Sequence, residues 1–233
     1  MEITPDHLVL FRRGFVVLNA TIVYTRVVML VLVVVAWMAT RARKSDPDAP
    51  RSGWEGALDG MVSLVRSQIQ EISDREGVDE YLPFVGTLFL FIAVSNVMDI
   101  VPGWHAPTGS LSTTAALAIC VAVGVPLFGI REAGLKAYLH HYLSPAFFML
   151  PFHLASEISR TVALAVRLFG NIMSGSMIVA LLLAIAPLFV PVIMQMLGLL
   201  IGLIQAYIFA VLAMVYIAAT VHRQEERPQE QNQ

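Results

Sequence analysis

Long apolar runs separated by short polar segments dominate this sequence of 233 residues. A helix needs about 20 apolar residues to cross the roughly 30 Å hydrocarbon core of a bilayer. The pattern therefore predicts an all-α polytopic membrane protein with about five membrane helices, folded as a single membrane domain over residues 1–233. The predicted spans are the apolar runs over residues 19–40, 82–101, 111–130, 145–188 and 190–221.

The fourth apolar segment is too long for one upright span. Residues 145–188 contain no polar loop, and a continuous helix of that length would measure about 65 Å. A turn near its middle could be placed only at Gly170 or Gly175. We predict instead a long tilted helix that folds back at "APLFVP" (residues 186–191) onto an equally long final helix, so that the two form a tilted hairpin.

The segment 41–80, between the first two spans, is predicted to be a polar linker followed by an amphipathic helix. Apolar residues recur at helical spacing over about 55–72, and polar residues occupy the intervening positions. Such a helix lies on the membrane surface, although packing on a partner protein would explain the pattern nearly as well. The apolar positions are Leu58, Met61, Val65 and Ile72.

Composition agrees with the membrane class, and the basic residues predict an orientation. Hydrophobic residues make up 57% of the chain, charged residues only 14%, and the mean hydropathy is +0.72, which excludes a soluble domain. Because basic residues are enriched in cytoplasmic loops, residues 1–18 are predicted to lie outside and the tail, 222–233, in the cytoplasm. Arg12 and Arg13 count against this orientation. The supporting residues are Arg41, Arg43, Lys44, Arg51, Arg131, Lys136, Arg223 and Arg227.

Polar residues inside the fourth segment share one helical face. At about 100° per residue, these side chains fall within an arc of roughly 100° around the helix. This face is unfavourable in contact with lipid, because a charged side chain at the bilayer centre costs about 2.5–3.5 kcal/mol. Glu157 and Arg160 are three residues apart and can pair within the helix. Arg167 has no carboxylate within a turn or two, so its partner is expected on another chain or a substrate. The remaining members of this face are His153, Asn171 and Ser174.

The final segment carries small residues at every fourth position, Gly198, Gly202, Ala206 and Ala210, which allow helices to approach closely. Gln205 lies beside this stripe, at a predicted depth similar to that of Asn171 and within reach of Arg167. Ordinary helix packing, with the amide as an interhelical hydrogen-bonding group, remains the alternative interpretation.

Four stretches resemble subunit a of the rotary F-type ATP synthase: "LAVRLFGNIMSG", "LIQAYIFAVLAMVYIAA", "TLFLFIAVSNVMDIVPG" and "PTGSLSTTAALAI". The resemblance covers about residues 81–220. It implies that Arg167 is the essential stator arginine facing the rotor c-ring, with Asn171 and Gln205 as polar neighbours. It also implies two offset ion half-channels, contact with the peripheral-stalk b subunits, a location in the bacterial inner membrane, and no catalytic site or cofactor in this chain itself.

One departure from this family concerns the outer half-channel. Where many members carry an acid or histidine, this chain has Ser176, and the facing position on the last helix is Gly198. Asp99 and Asn96 are candidates to replace these groups on the outer side, with Glu157 and His153 on the cytoplasmic side. Asp99 could equally be a helix-end carboxylate among lipid headgroups. The carried ion, proton or sodium, stays open.

Two other classes of membrane protein fit only parts of this pattern. A secondary transporter could use an intramembrane arginine to bind an anionic substrate, but the sequence shows no internal repeat. An intramembrane hydrolase would need a Ser/His or paired-Asp constellation, which His153 and a nearby serine do not provide. We find no motif for a metal site or for binding nucleic acid.

Overall fold

The computed structural model describes residues 9–13, 16–45, 56, 60, 63, 66–67, 70–71, 80–101, 104–134, 150–185 and 190–230. Within these residues, five long helices form the bundle: α1 (Ala20–Ser45), α2 (Leu82–Met98), α3 (Leu111–Ala133), α4 (Leu150–Ile185) and α5 (Val190–Glu230). Four of them, α1, α3, α4 and α5, are long and apolar enough to cross a membrane, and α2 is a shorter apolar helix. The predicted all-helical membrane class is confirmed.

A small β-hairpin precedes α1, and the sequence analysis did not predict it. Strand β1 (Val9–Arg13) pairs with β2 (Val16–Asn19) in antiparallel fashion, with an irregularity between Val9 and Phe11. Two residues join the strands, as in the shortest hairpins. Strands of four or five residues are too short for their periodicity to be distinguished from that of a helix entry.

Helix α5 lies at the centre of the bundle and packs against α2, α3 and α4. Its buried face is rich in small residues, because Ala206, Ala210 and Ala213 are at most 3% exposed. Small side chains let the backbones of α2 and α5 approach closely. Larger buried residues of α5, Phe209 and Ile217, complete the core together with residues of α2 such as Ile92.

Helix α4 is continuous over 36 residues, about 54 Å at 1.5 Å per residue. It passes through Gly170 and Gly175 without a break, so the alternative of two upright spans joined there is excluded. The neighbouring Pro187 and its surroundings, 186–189, lie outside the described residues, as does 145–149, and the tilt of the helix pair therefore remains a prediction.

The predicted surface helix falls mostly outside the described residues. Those of its residues that the structure describes (56, 60, 63, 66, 67, 70 and 71) are helical and exposed. Its apolar positions are not among them, so its amphipathic character remains a prediction.

Candidate functional site

The most unusual feature of α4 is the exposed side chain of Arg167. A neighbouring face of the same helix is buried in the bundle, where Leu164 and Leu168 are at most 3% exposed. Many large side chains exposed on the two long helices are apolar, for example Val166 on α4 and Ile204 on α5. Within the part of the chain that the structure describes, the guanidinium forms no ion pair or hydrogen bond. The surface thus presents one uncompensated positive charge on an apolar face.

A cavity of about 310 Å³ lies where α2, α4 and α5 meet the α2–α3 connection. Most of its wall is apolar, and it is called the polar cavity here after the polar side chains that the wall also contains. It brings together four residues that the sequence analysis selected, Asn96, Asp99, Asn171 and Ser176, and its wall also includes Ser174. Asn171 is one turn beyond Arg167 on α4 and so links the cavity to the exposed arginine. Three other candidates, Glu157, Arg160 and Gln205, are not part of this wall.

Asp99 is held at the end of α2 by contacts from two other segments. Its Oδ1 accepts a hydrogen bond from the Ala106 N–H at 2.9 Å. The Gln195 side chain on α5 donates to the backbone carbonyls of Asp99 and Ile100, at 3.1 and 3.4 Å. These bonds satisfy carbonyls that the end of a helix leaves free and fix the carboxylate in the cavity wall.

Asn96 connects α2 to α5. Its Nδ2 donates to the Gly202 carbonyl at 2.8 Å, and the residue is 6% exposed. The bond requires a glycine, because a Cβ at position 202 would lie 2.8 Å from Asn96 Cγ. Gly202 of the small-residue stripe is therefore needed for this contact. Gly198 of the same stripe is not needed in this way, because a Cβ there would meet nothing within 4 Å.

Glu157 and Arg160 pair within α4, as their spacing predicted, with Nη1 and Oε2 3.8 Å apart. The Arg160 guanidinium also lies over the Tyr216 ring of α5, 4.9 Å from its centroid, a separation typical of cation–π contacts. Arg160 is thus neutralised inside the chain, in contrast to Arg167.

The remaining candidates occupy different environments. Gln205 is buried, 7% exposed, and its amide forms no hydrogen bond with another described residue. The Ser176 hydroxyl donates to the Ile172 carbonyl at 3.0 Å. His153 lies in the first turn of α4, but its side chain lies outside what the structure describes.

Sequence reasoning missed three residues of these sites: Gln195, His105 and Tyr216. His105 follows the second span in a connection that resembled a simple turn. Its Nδ1 is buried and forms no hydrogen bond with a described residue, and the same holds for Trp104 Nε1. A histidine and a tryptophan together in a short membrane turn were the available signal, whereas nothing local marks Gln195 or Tyr216.

The fold and site define a multi-pass helical membrane protein that exposes an arginine beside a polar cavity. Comparison with known proteins identifies the family within this class. The profile of the family "ATP synthase A chain" matches residues 22–218. The chain is 52% identical to ATP synthase subunit a 1 of Crocosphaera subtropica, over 97% of both chains, and 50% identical to ATP synthase subunit a of Albidiferax ferrireducens, over 98% of both. It is also 52% identical to subunit a 1 of Chlorobium luteolum, covering 97% of this chain and 100% of that one.

The chain belongs to the ATP synthase A chain family, as a subunit a of the membrane (Fo) sector. It is accordingly a multi-pass membrane component of an ATP synthase complex.

Proposed function

We propose that the chain is the stator ion channel of its ATP synthase, carrying a cation between two half-channels by way of carboxylates on the rotating c-ring. The observation that carries the proposal is Arg167, an exposed guanidinium on an apolar face, one turn from the polar cavity wall at Asn171. In this arrangement the ring covers the apolar face of α4 and α5, and its carboxylate faces Arg167.

The charge of Arg167 releases the ion from an arriving ring carboxylate by favouring the ionised form of that carboxylate. Two unit charges about 4 Å apart attract by about 4 kcal/mol at an effective dielectric constant of 20. At 1.36 kcal/mol per pKa unit, this attraction moves the protonation equilibrium by about three orders of magnitude. Arginine suits this role because it stays protonated where a buried lysine can lose its proton.

The two half-channels lie on opposite sides of Arg167 along α4. The cavity with Asp99, Asn96 and Ser176 forms the outer one. On the cytoplasmic side, Glu157, Arg160 and His153 of α4 line the path. Gln205, buried on α5, is the polar neighbour of the arginine at the interface with the ring.

The orientation and the partners follow from this assignment. The N-terminus lies on the periplasmic side and the C-terminus in the cytoplasm of a bacterial inner membrane. The peripheral-stalk b subunits hold the chain against the torque of the ring. Catalysis of ATP synthesis or hydrolysis takes place in other subunits of the complex.

The proposal is tested with the complete complex in sealed vesicles, by measuring ATP-driven pumping of protons and of sodium ions. Arg167→Ala is expected to abolish pumping and to open a passive leak, because the barrier between the half-channels is lost. Arg167→Lys keeps the charge but not the planar fork, and most activity should be lost as well. Comparing the two ions identifies the one carried.

Arg26→Ala provides the matched control. Arg26 is also an exposed arginine within an apolar helix, α1, but it is distant in sequence from the α4–α5 face, and its removal should leave pumping intact. Normal pumping by Arg167→Ala would show that the arginine is only a structural counter-charge and would refute the stator-channel mechanism.

A further inference from the structure

Two amide side chains join α2 to α5 within the wall of the polar cavity. Asn96 of α2 donates to the Gly202 carbonyl of α5 at 2.8 Å. In the opposite direction, Gln195 of α5 donates to the carbonyls of Asp99 and Ile100 at the end of α2, at 3.1 and 3.4 Å. All five residues border the cavity. The two helices are therefore bonded to each other at two levels of this wall, about one turn apart along α2.

The α4 side of the cavity lacks such bonds within the part of the chain that the structure describes. The hydroxyls of Ser174 and Ser176 donate to carbonyls of their own helix, those of Asn171 and Ile172, at 3.0 Å each. The Asn171 amide forms no hydrogen bond with another described residue. Directional bonds thus fix the wall made by α2 and α5, whereas α4 borders the cavity without one.

Gln195 is important because the end of α2 has few bonds of its own. Beyond the last helical residue, the backbone N–H groups of Asp99 and Ile100 bond only three residues back, at 3.3 Å each. Among the described residues, only Gln195 donates to the carbonyls of these two residues. Carbonyls at the end of a helix have no partner within the helix, and leaving them unsatisfied at membrane depth is costly.

We propose that Gln195 is a positioning residue for the outer half-channel. It holds the outer end of α2 against α5 and so sets the width of the opening through which the transported cation enters. The proposal rests on the stator-channel function and adds to it a residue that acts through the α2 backbone rather than by binding the ion.

The chemistry of the amide suits this position. Both partners of the Gln195 side chain are carbonyl oxygens, so the position requires a hydrogen-bond donor. A cation must pass beside it, so a neutral amide fits where the charge of lysine would repel the ion. One turn along α5, a Cβ at Gly198 would meet nothing within 4 Å. No side chain there replaces the contact that Gln195 makes with α2.

The test measures the width of the opening with thiol reagents of two sizes, in the complete complex in sealed vesicles. Cys120→Ser removes the single cysteine of the chain, and Ala180→Cys places a reporter thiol on the α4 wall. A small and a bulky membrane-impermeant thiosulfonate, both cationic, are added from the outer side, and labelling is followed by the mass of this chain.

Gln195→Met keeps the length of the side chain but removes the donor. The labelling rate with the bulky reagent should rise on the order of tenfold, as for the loss of one net hydrogen bond. The rate with the small reagent, which already enters, should change little. ATP synthesis should show a higher apparent KM for the ion on the outer side at an unchanged maximal rate, because entry is impaired and the chemistry at the ring is not.

Thr25→Val is the matched control. It removes a side-chain hydrogen bond of 2.7 Å to the Thr21 carbonyl, but Thr25 lies on α1, which does not border the cavity. Both labelling rates and the apparent KM should stay at the values of the parent.

Several outcomes would overturn the proposal. They are an unchanged rate with the bulky reagent in Gln195→Met, an equal rise with both reagents, which would indicate general loosening, and a lower maximal rate at an unchanged KM. A reporter thiol that no reagent reaches from the outer side would also overturn it. Arg167→Ala in the same vesicles reports separately on the channel function. If it abolishes pumping while Gln195→Met behaves as its parent, the positioning role alone is refuted.

Discussion

Replacing Gly202 with alanine tests the close contact between α2 and α5. The added Cβ would lie 2.8 Å from Asn96 Cγ and 2.9 Å from its Nδ2, whereas carbon atoms attract best at about 3.5–4.0 Å. Either Asn96 turns away and loses its 2.8 Å hydrogen bond to the Gly202 carbonyl, or the two helices separate. Both responses weaken the centre of the bundle.

The free-energy cost of this overlap can be separated from other effects by substituting a second glycine of the same helix in parallel. Gly198 precedes Gly202 by one turn, and a Cβ there would meet nothing within 4 Å. Both substitutions gain about 1 kcal/mol of helix propensity, so the gain cancels in the comparison. What remains is the overlap at position 202, which should cost about 1–3 kcal/mol by analogy with overpacked cores.

Thermal unfolding of the detergent-solubilised chain measures this difference. About 2 kcal/mol corresponds to a Tm about 4–8 °C lower for Gly202→Ala than for Gly198→Ala, by the scaling for soluble domains of this size. In an Asn96→Ala background the contacts with Cγ and Nδ2 are removed and only the 3.1 Å contact with the Cβ of residue 96 is left. The cost of Gly202→Ala relative to Gly198→Ala should then fall. Equal Tm values for the two variants in the wild-type background would refute the reasoning.

Three further predictions concern the polar side chains of α4 and α5. Arg160→Ala should impair ATP-driven pumping less than Arg167→Ala, and equal, complete loss in both would mean that their roles are wrongly divided. Tyr216→Leu should destabilise the chain by about 1 kcal/mol more than Tyr216→Phe, which keeps a ring under the guanidinium. Gln205→Leu should reduce pumping without lowering Tm, because a buried amide with no hydrogen-bond partner is replaced by an apolar side chain at little cost. A lower Tm would instead assign Gln205 to helix packing.

Local patterns were sufficient to predict the helices and the pairs within them. The apolar runs predicted five helices, and the lack of a polar loop predicted that α4 is continuous. The spacing of three residues predicted the Glu157–Arg160 pair, whose charged atoms are 3.8 Å apart in the structure. In each case the cause acts within one helix, so periodicity contains the necessary information.

Contacts between distant segments could not be predicted in this way. Asn96 bonds to a backbone carbonyl 106 residues later in the chain, and Gln195 reaches back 96 residues to Asp99. Both depend on the register of α5 against α2, which is set by the packing of many side chains together. The stripe around Gly202 indicated a close approach, but not which helix would make it.

The depth of Arg167 limits what can compensate its charge. It lies 13 residues from one end of the 31-residue apolar stretch Leu154–Ala184, about 20 Å along a stretch of about 46 Å. If the helix tilts so that this stretch just crosses a 30 Å hydrocarbon core, the arginine lies about 13 Å below the nearer surface, close to the midplane. An arginine near a helix end can extend its side chain to the lipid headgroups. At the depth of Arg167 the headgroups are too far away, so lipid phosphate is a poor partner. Apolar lipid can cover Val166 and Ile204, but it leaves the guanidinium unsatisfied. A surface that is both apolar and positively charged at the midplane instead fits a protein partner that is apolar around a single buried carboxylate, the chemistry proposed here for the c-ring.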